Sequence, residues 1–307
     1  MSAHRTLIWW STGAASAIAA RLMLRENPEA LIVRCETNNE DPDNYRFEAD
    51  VMRWLNASVT ILQAETDHSV WDVWQRRRYI AGINGAQCTT LMKVAPRLAF
   101  QQPNDVHVFG YTADRGDVER FERLKETYFE LTVRAPLIEQ GITKAATLAM
   151  VERAGLKLPR SYAMGVPNAI CLQTGCGKAK SPRYWALYRK HFPAEFARTA
   201  AYSREIGARL TELNGERAFI DEIPADHPTT NAIVPACDFL CAIAEQGLDE
   251  GDKSPVANGH GKMSPQAAVG FGSWPDENGR QTKHRRASRR GPGKRKTLRT
   301  HRDGSAG

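Results

Sequence analysis

Short apolar runs alternate with longer stretches in which apolar positions recur every three or four residues, from the N-terminus to about residue 128. Leu7-Ile8-Trp9-Trp10 is a continuous apolar run, residues 31–35, 59–62 and 106–111 are mostly apolar, and all four predict buried strands. Residues 14–25 are rich in Ala and Leu, 45–55 carry Phe47, Val51, Trp54 and Leu55 at helical spacing, and 70–79 continue the alternation. Strands alternating with helices in this way predict an α/β fold, a doubly wound and mostly parallel sheet. Beyond Tyr111 the pattern turns helical, with helices expected over 118–128, 144–154, 182–192 and 195–214. From about Gly247 periodicity gives way to Gly, Pro, Ser and charge, a composition that predicts disorder. The expected organisation is a nucleotide-binding α/β domain over 1–135, a helical cysteine-containing region packed on it over 136–246, and a disordered basic tail over 247–307.

Charge changes the picture only at the end of the chain. The formal charge is +7, but residues 280–307 hold eleven Lys/Arg and one acid, a net +10, which leaves the rest at −3. That tail, Arg280 to Arg302 above all, suits contact with a nucleic-acid backbone or simple solvation. No apolar run approaches the roughly 20 residues of a membrane-spanning helix, so no membrane partner and a cytoplasmic location are expected. Six cysteines in such a chain do not predict a disulfide scaffold. Cys35 falls within a strand pattern and reads as core, as does His107, and Trp9, Trp10, Trp54, Trp71 and Trp74 read as packing residues.

Ligands of open α/β sheets bind at the carboxyl ends of the strands. The first strand delivers Ser11-Thr12-Gly13-Ala14-Ala15-Ser16 to that edge, directly before a helix. Small side chains there let backbone N–H groups and the helix N-terminus meet an anion, with the Ser11 and Ser16 hydroxyls as further donors. Lys93, Arg97, Arg115 and Arg120 are the candidate phosphate or sulfate contacts. Lys93 and Arg97 follow Cys88 and are expected to lower the pKa of its thiol. Cys171 and Cys176 flank a Gly-containing turn and, with Cys88, offer three thiolates to an iron–sulfur centre; a redox dithiol and structural thiols are the alternatives. Cys237 and Cys241 lie one helical turn apart, and Cys241 is a candidate fourth ligand.

The Ser11–Ser16 segment resembles the Ser-Gly-Gly-x-Asp-Ser loop of the PP-loop adenine nucleotide α-hydrolase-like proteins, with Thr12 in place of a glycine and Ala15 in place of the aspartate. Three further segments are similar to the phosphoadenosine phosphosulfate (PAPS) reductase-like group of phage and bacterial type. These are Asn84 to Thr89 with Lys93, Pro96 and Arg97; Gly110-Tyr111-Thr112-Ala113 with Arg120 and Phe121; and Ala135 to Lys144 followed by Gly155, Pro159, Tyr162 and Gly165. The resemblance runs in order over roughly residues 5–200. It implies that ATP or an adenylyl sulfate nucleotide binds at Ser11 to Ser16, Gly110, Tyr111, Thr112 and Arg120. It further implies adenylation or sulfur transfer at Cys88, Lys93 and Arg97, served by a sulfur donor protein. A [4Fe–4S] cluster on Cys88, Cys171, Cys176 and Cys241 would accompany it. Loss of the aspartate at Ala15 sets magnesium-assisted ATP cleavage in question, while nucleotide binding is less affected. Phosphoadenylyl-sulfate reduction is one alternative, although the Glu-Cys-Gly-(Ile/Leu)-His segment of true sulfonucleotide reductases is absent. A non-catalytic nucleic-acid-binding accessory role is the other.

Overall fold

In the computed structural model, residues 4–82, 85–166, 171–231, 233 and 235 are described. Cys237, Cys241 and the basic tail lie outside them. Apolar runs become strands where they can be covered on both faces, and that is what the N-terminal half builds. The order is β1 (Thr6–Trp9), α1 (Ala14–Glu26), β2 (Leu31–Cys35), α2 (Pro42–Leu55), β3 (Val59–Leu62) and α3 (Val70–Arg77). A bent helical segment follows: α4 (Gln87–Thr89), a π-helical turn over Thr90–Val94 and α5 (Ala95–Phe100), then β4 (Val106–Phe109), α6 (Arg115–Thr127) and β5 (Thr132–Arg134). The four strand pairs of this sheet are all parallel and the order across it is β3-β2-β1-β4-β5, which confirms the doubly wound α/β expectation.

Among the described residues the buried apolar side chains form two clusters. In the first, Ile8, Trp10, Ile32 and Val108 meet Ala17 and Ile18 of α1, Phe47 and Val51 of α2, and Leu148 and Val151 of α8 (Lys144–Arg153), which α7 (Pro136–Glu139) precedes. The second joins Val73 and Trp74 of α3 to Trp185 and Tyr188 of α10 (Pro182–His191) and to Phe196 and Ala200 of α11 (Pro193–Glu205). Each fully buried Val, Ile, Leu or Phe contributes about 1.5–3 kcal/mol over its exposed state. The short helix α9 (Arg160–Ala163) places Tyr162 in the first cluster.

Three departures from the expected elements have local causes. The helix expected over 195–214 ends at Glu205, because Gly207 adopts a left-handed φ of 71°. The chain then forms a hairpin, β6 (Thr211–Leu213) with β7 (Glu216–Ala218), turning through Asn214 and Gly215 at φ 52° and 84°. Two consecutive positive φ values are those of a type I′ turn. β5 is only three residues long and lacks a distinguishing apolar run.

Candidate nucleotide crevice and thiol cluster

The strand order reverses between β1 and β4, and a crevice of about 520 Å³ opens at the carboxyl ends of these strands. Its lining includes Ser11, Thr12, Gly13 and Ala15 from the loop after β1, with Phe109, Gly110 and Tyr111 after β4. The first N–H groups of α1 have no intrahelical acceptor, so they and the helix dipole present partial positive charge there. The Ala14 N–H is already taken by the Tyr162 hydroxyl at 3.1 Å. Thr12 is buried at φ 56°, a left-handed conformation unusual for a β-branched residue, and its hydroxyl donates to the Ser11 carbonyl at 2.7 Å. Gly110 is required by proximity: a Cβ there would lie 3.0 Å from the backbone of Ser16.

The opposite wall comes from the bent helix. The Ala95 N–H donates to the Thr90 carbonyl, the five-residue bond of a π turn, and Lys93 and Val94 from that turn line the crevice with Arg97. Arg97 is 7% exposed, its guanidinium lies over the Tyr128 ring at 4.4 Å, and its buried Nη2 has no hydrogen-bond partner. A buried cation with an orphaned donor is costly unless an anion or water meets it. Glu40 and Asp117 are the carboxylates of the lining. Burial pushes the Glu40 carboxyl above its usual value, against the pull of Lys93 and hydrogen bonds from Asn44 and Thr37. Asp117 accepts from Thr112 and pairs with Arg120 at 3.1 Å. Burial lowers the Lys144 ammonium, with Asp117 and Asp114 acting against it.

Lys93 also lies among the thiols. Burial disfavours its charge, but Cys171, Glu40, Cys35 and Cys88 outweigh that and hold the ammonium above its ordinary value. The Cys35 thiol, which lines the crevice, donates to the Lys93 carbonyl at 3.5 Å. Cys171 and Cys176 are hydrogen-bonded to each other. That bond keeps the proton on Cys171, raised well above normal, and lowers Cys176 to about 6, helped by the Lys178 N–H and the Lys178 and Lys93 charges.

The loop carrying this pair is fixed from several sides. Tyr188 donates to the Leu172 carbonyl at 2.8 Å and Thr199 to the Thr174 carbonyl at 2.9 Å, while the Cys176 N–H donates to the Tyr184 hydroxyl at 2.8 Å. Gln173 binds the Asn39 and Glu40 carbonyls, and Asn39 reaches the Thr174 hydroxyl. The cysteine loop is thereby tied to the loop after β2.

No family model matches the chain, and no curated protein matches it. Among solved structures, the chain is similar to a phosphoadenylyl-sulfate (PAPS) reductase from Candida auris in a phosphate complex. Identity is 11%, the TM-score is 0.41, and the match covers 53% of this chain and 79% of that one. Likeness at that level carries no argument about chemistry, which rests on the residues of the crevice.

Of the residues singled out in the sequence, Ser11, Thr12, Gly13, Ala15, Lys93, Arg97, Gly110, Tyr111 and Arg120 meet in the crevice. Ala14, Ser16 and Thr112 are not part of its lining. The Ser16 hydroxyl donates to the Gly13 carbonyl at 2.9 Å and accepts from Ser11, so it braces its own loop. Thr112 is buried and binds Asp114 and Asp117. Arg115 is corrected outright: its side chain is 93% exposed and pairs with Glu119. Cys88 is corrected in its acidity, because burial and the neighbouring Cys176 push its thiol up against Lys93 and Lys178. Among the described residues, no group of three or more His, Cys, Asp or Glu is disposed to hold a metal ion. A cluster on Cys88, Cys171 and Cys176 is therefore unsupported by their placement. Cys241 lies outside the described residues. Sequence reasoning missed Cys35, Glu40, Asp117 and Tyr128. Cys35 was read as core because β2 is apolar, but it is the last residue of its strand and so reaches the edge where ligands bind.

Proposed function

We propose that the chain is a PP-loop, PAPS-reductase-like enzyme that holds an adenine nucleotide in the β1/β4 crevice. It then carries out adenylation or sulfur transfer with the adjoining thiols. The observation that supports this best is Arg97, buried in the crevice wall with an unpartnered Nη2. The N-terminal turn of α1 lines the same crevice. A phosphate or sulfate would satisfy both the orphaned guanidinium donor and the first-turn N–H groups. Tyr111, Tyr128 and Leu124 supply apolar surface for a base. Lys93 carries positive charge in the crevice wall and among the thiols, so an anionic group beside it stands near sulfur.

Calorimetric titration with ATP, adenosine 5′-phosphosulfate and AMP tests this. A hydrogen bond to a charged group is worth about 1.5–3 kcal/mol, so Arg97→Ala is expected to weaken binding by about 10- to 100-fold. Arg97→Lys is expected to recover part of the loss. Absence of saturable binding by any of the three nucleotides to the reduced, folded protein would sink the reading. Pyrophosphate release from ATP would favour adenylation, whereas sulfite release from the phosphosulfate in the presence of thiol would favour the reductase alternative.

A further inference from the structure

Cys171 and Cys176 have four residues between them, yet the thiol of one is hydrogen-bonded to the sulfur of the other. The chain makes this return with two left-handed residues, Cys171 at φ 60° and Gly175 at φ 70°. A non-glycine residue at such a φ persists only where its surroundings hold it. Here the holding groups are the hydroxyls of Tyr188, Thr199 and Tyr184 and the Asn39–Thr174 contact. Side chains of α10 close the other side: a Cβ on Gly175 would sit 2.5 Å from Trp185, so the turn cannot relax towards that helix. The Cys171 thiol donates to Cys176, and the Lys178 N–H donates to the same sulfur. Neither cysteine is fully buried. Cys35 and Cys88, the other described cysteines, are on different elements, at the end of β2 and in α4.

We propose that Cys171 and Cys176 form a reversible dithiol–disulfide centre, with Cys176 as the attacking sulfur and Cys171 as the resolving one. The centre adds a two-electron redox function beyond the proposed nucleotide chemistry and does not depend on it. Its oxidant is a low-molecular-weight disulfide. The Cys176 thiolate attacks one sulfur of that disulfide, forming a mixed disulfide and releasing one thiolate. Cys171 then attacks the Cys176 sulfur, the second small thiol leaves with the Cys171 proton, and the protein disulfide remains. Two electrons pass from the protein to the small disulfide, and a dithiol reductant returns them by the same route. The pinned turn places the resolving sulfur beside the attacked one, which favours ring closure over persistence of the mixed disulfide. Lys178 and Lys93 supply the positive surroundings that favour a thiolate attacker.

The test is equilibration of the anaerobically purified full-length chain with glutathione and glutathione disulfide over a range of ratios. Acid quenching, alkylation and peptide mapping by mass spectrometry follow. The expected result is a peptide cross-linked between Cys171 and Cys176 that grows with the oxidised fraction and disappears on dithiothreitol treatment. Cys171→Ser should convert the cross-link into glutathione retained on Cys176, raising that adduct from trace to predominant. Cys176→Ser should abolish both species, and far-ultraviolet circular dichroism of the variants checks that they fold. Full alkylation of both cysteines at every ratio would overturn the proposal. So would a cross-link to Cys88 instead, or iron or zinc retained on these two sulfurs after purification. Because wild-type mapping needs no nucleotide, its failure is separable from failure of the titration with adenine nucleotides.

Discussion

His107 is fully buried beside the crevice wall, and its Nδ1 accepts the Trp9 indole N–H at 3.1 Å, so the proton of the neutral ring sits on Nε2. Burial, then the Arg97 charge, disfavours the imidazolium and lowers the pKa below the ordinary 6.5. As pH falls below 6.5 the unfolded chain takes up this proton before the folded one does. The stability that His107 contributes is therefore complete above that pH and is lost towards the lower folded value. The urea midpoint should be lower at pH 5.5 than at pH 7.5, and His107→Gln, which keeps an acceptor for Trp9, should narrow the gap. An unchanged gap in the variant would remove His107 as the cause. At this scale the sequence was partly legible. Thr12 was visible as the residue standing where similar loops have glycine, and the backbone there does keep a left-handed φ of 56°. Cys35, Glu40 and Tyr128 were not legible in their roles, since which side chains face a crevice depends on where a helix far along the chain comes to rest.

Elements show the same division between local and non-local causes. The strands β2 and β3 begin and end at the residues their apolar runs predict, and α1, α8 and α10 match within a residue or two. The Asn214-Gly215 hairpin was also legible, since Asn-Gly between strand residues is a strong type I′ signal, yet the helical spacing upstream masked it. The π turn at Thr90–Val94 left no pattern to read: one extra residue in a helical turn shifts the apolar phase as any irregular segment would. The cysteine loop yields a paired prediction. Gly175→Ala combines left-handed strain of about 1–2 kcal/mol with overpacking against Trp185 of about 1–3 kcal/mol, so a total loss of about 2–5 kcal/mol is expected. Gly155→Ala, at φ 75° with nothing within 4 Å of the added Cβ, carries only the strain. Urea unfolding of both variants checks this, and equal losses would show that the Trp185 contact is not restrictive.

For the whole molecule, a ligand that binds only the folded state raises its stability by mass action. Adenine nucleotide at 100 times its dissociation constant should raise the unfolding free energy by about 2.7 kcal/mol, and Arg97→Ala should cut the gain to about 0.4–1.4 kcal/mol at the same concentration. Thermal melts with and without nucleotide read this directly. The alternation of strands and helices made the doubly wound sheet legible, whereas the second apolar cluster was not. That cluster takes α3 from the middle of the chain and covers it with α10 and α11, a choice no local pattern encodes. The crevice has one more consequence, in time rather than in space. The loops after β1 and β4 that line it are brought together by the parallel pairing of Thr6 with Val106 and Trp9 with Phe109, reinforced by the Arg5–Asp105 ion pair at 2.6 Å. At about 5–20 residues per second on the ribosome, β1 waits about 5–20 s for the partner that completes its second edge. A nascent chain stalled in that interval carries an open strand edge beside Leu7 and Trp9, which leaves β1 exposed to misassociation during synthesis.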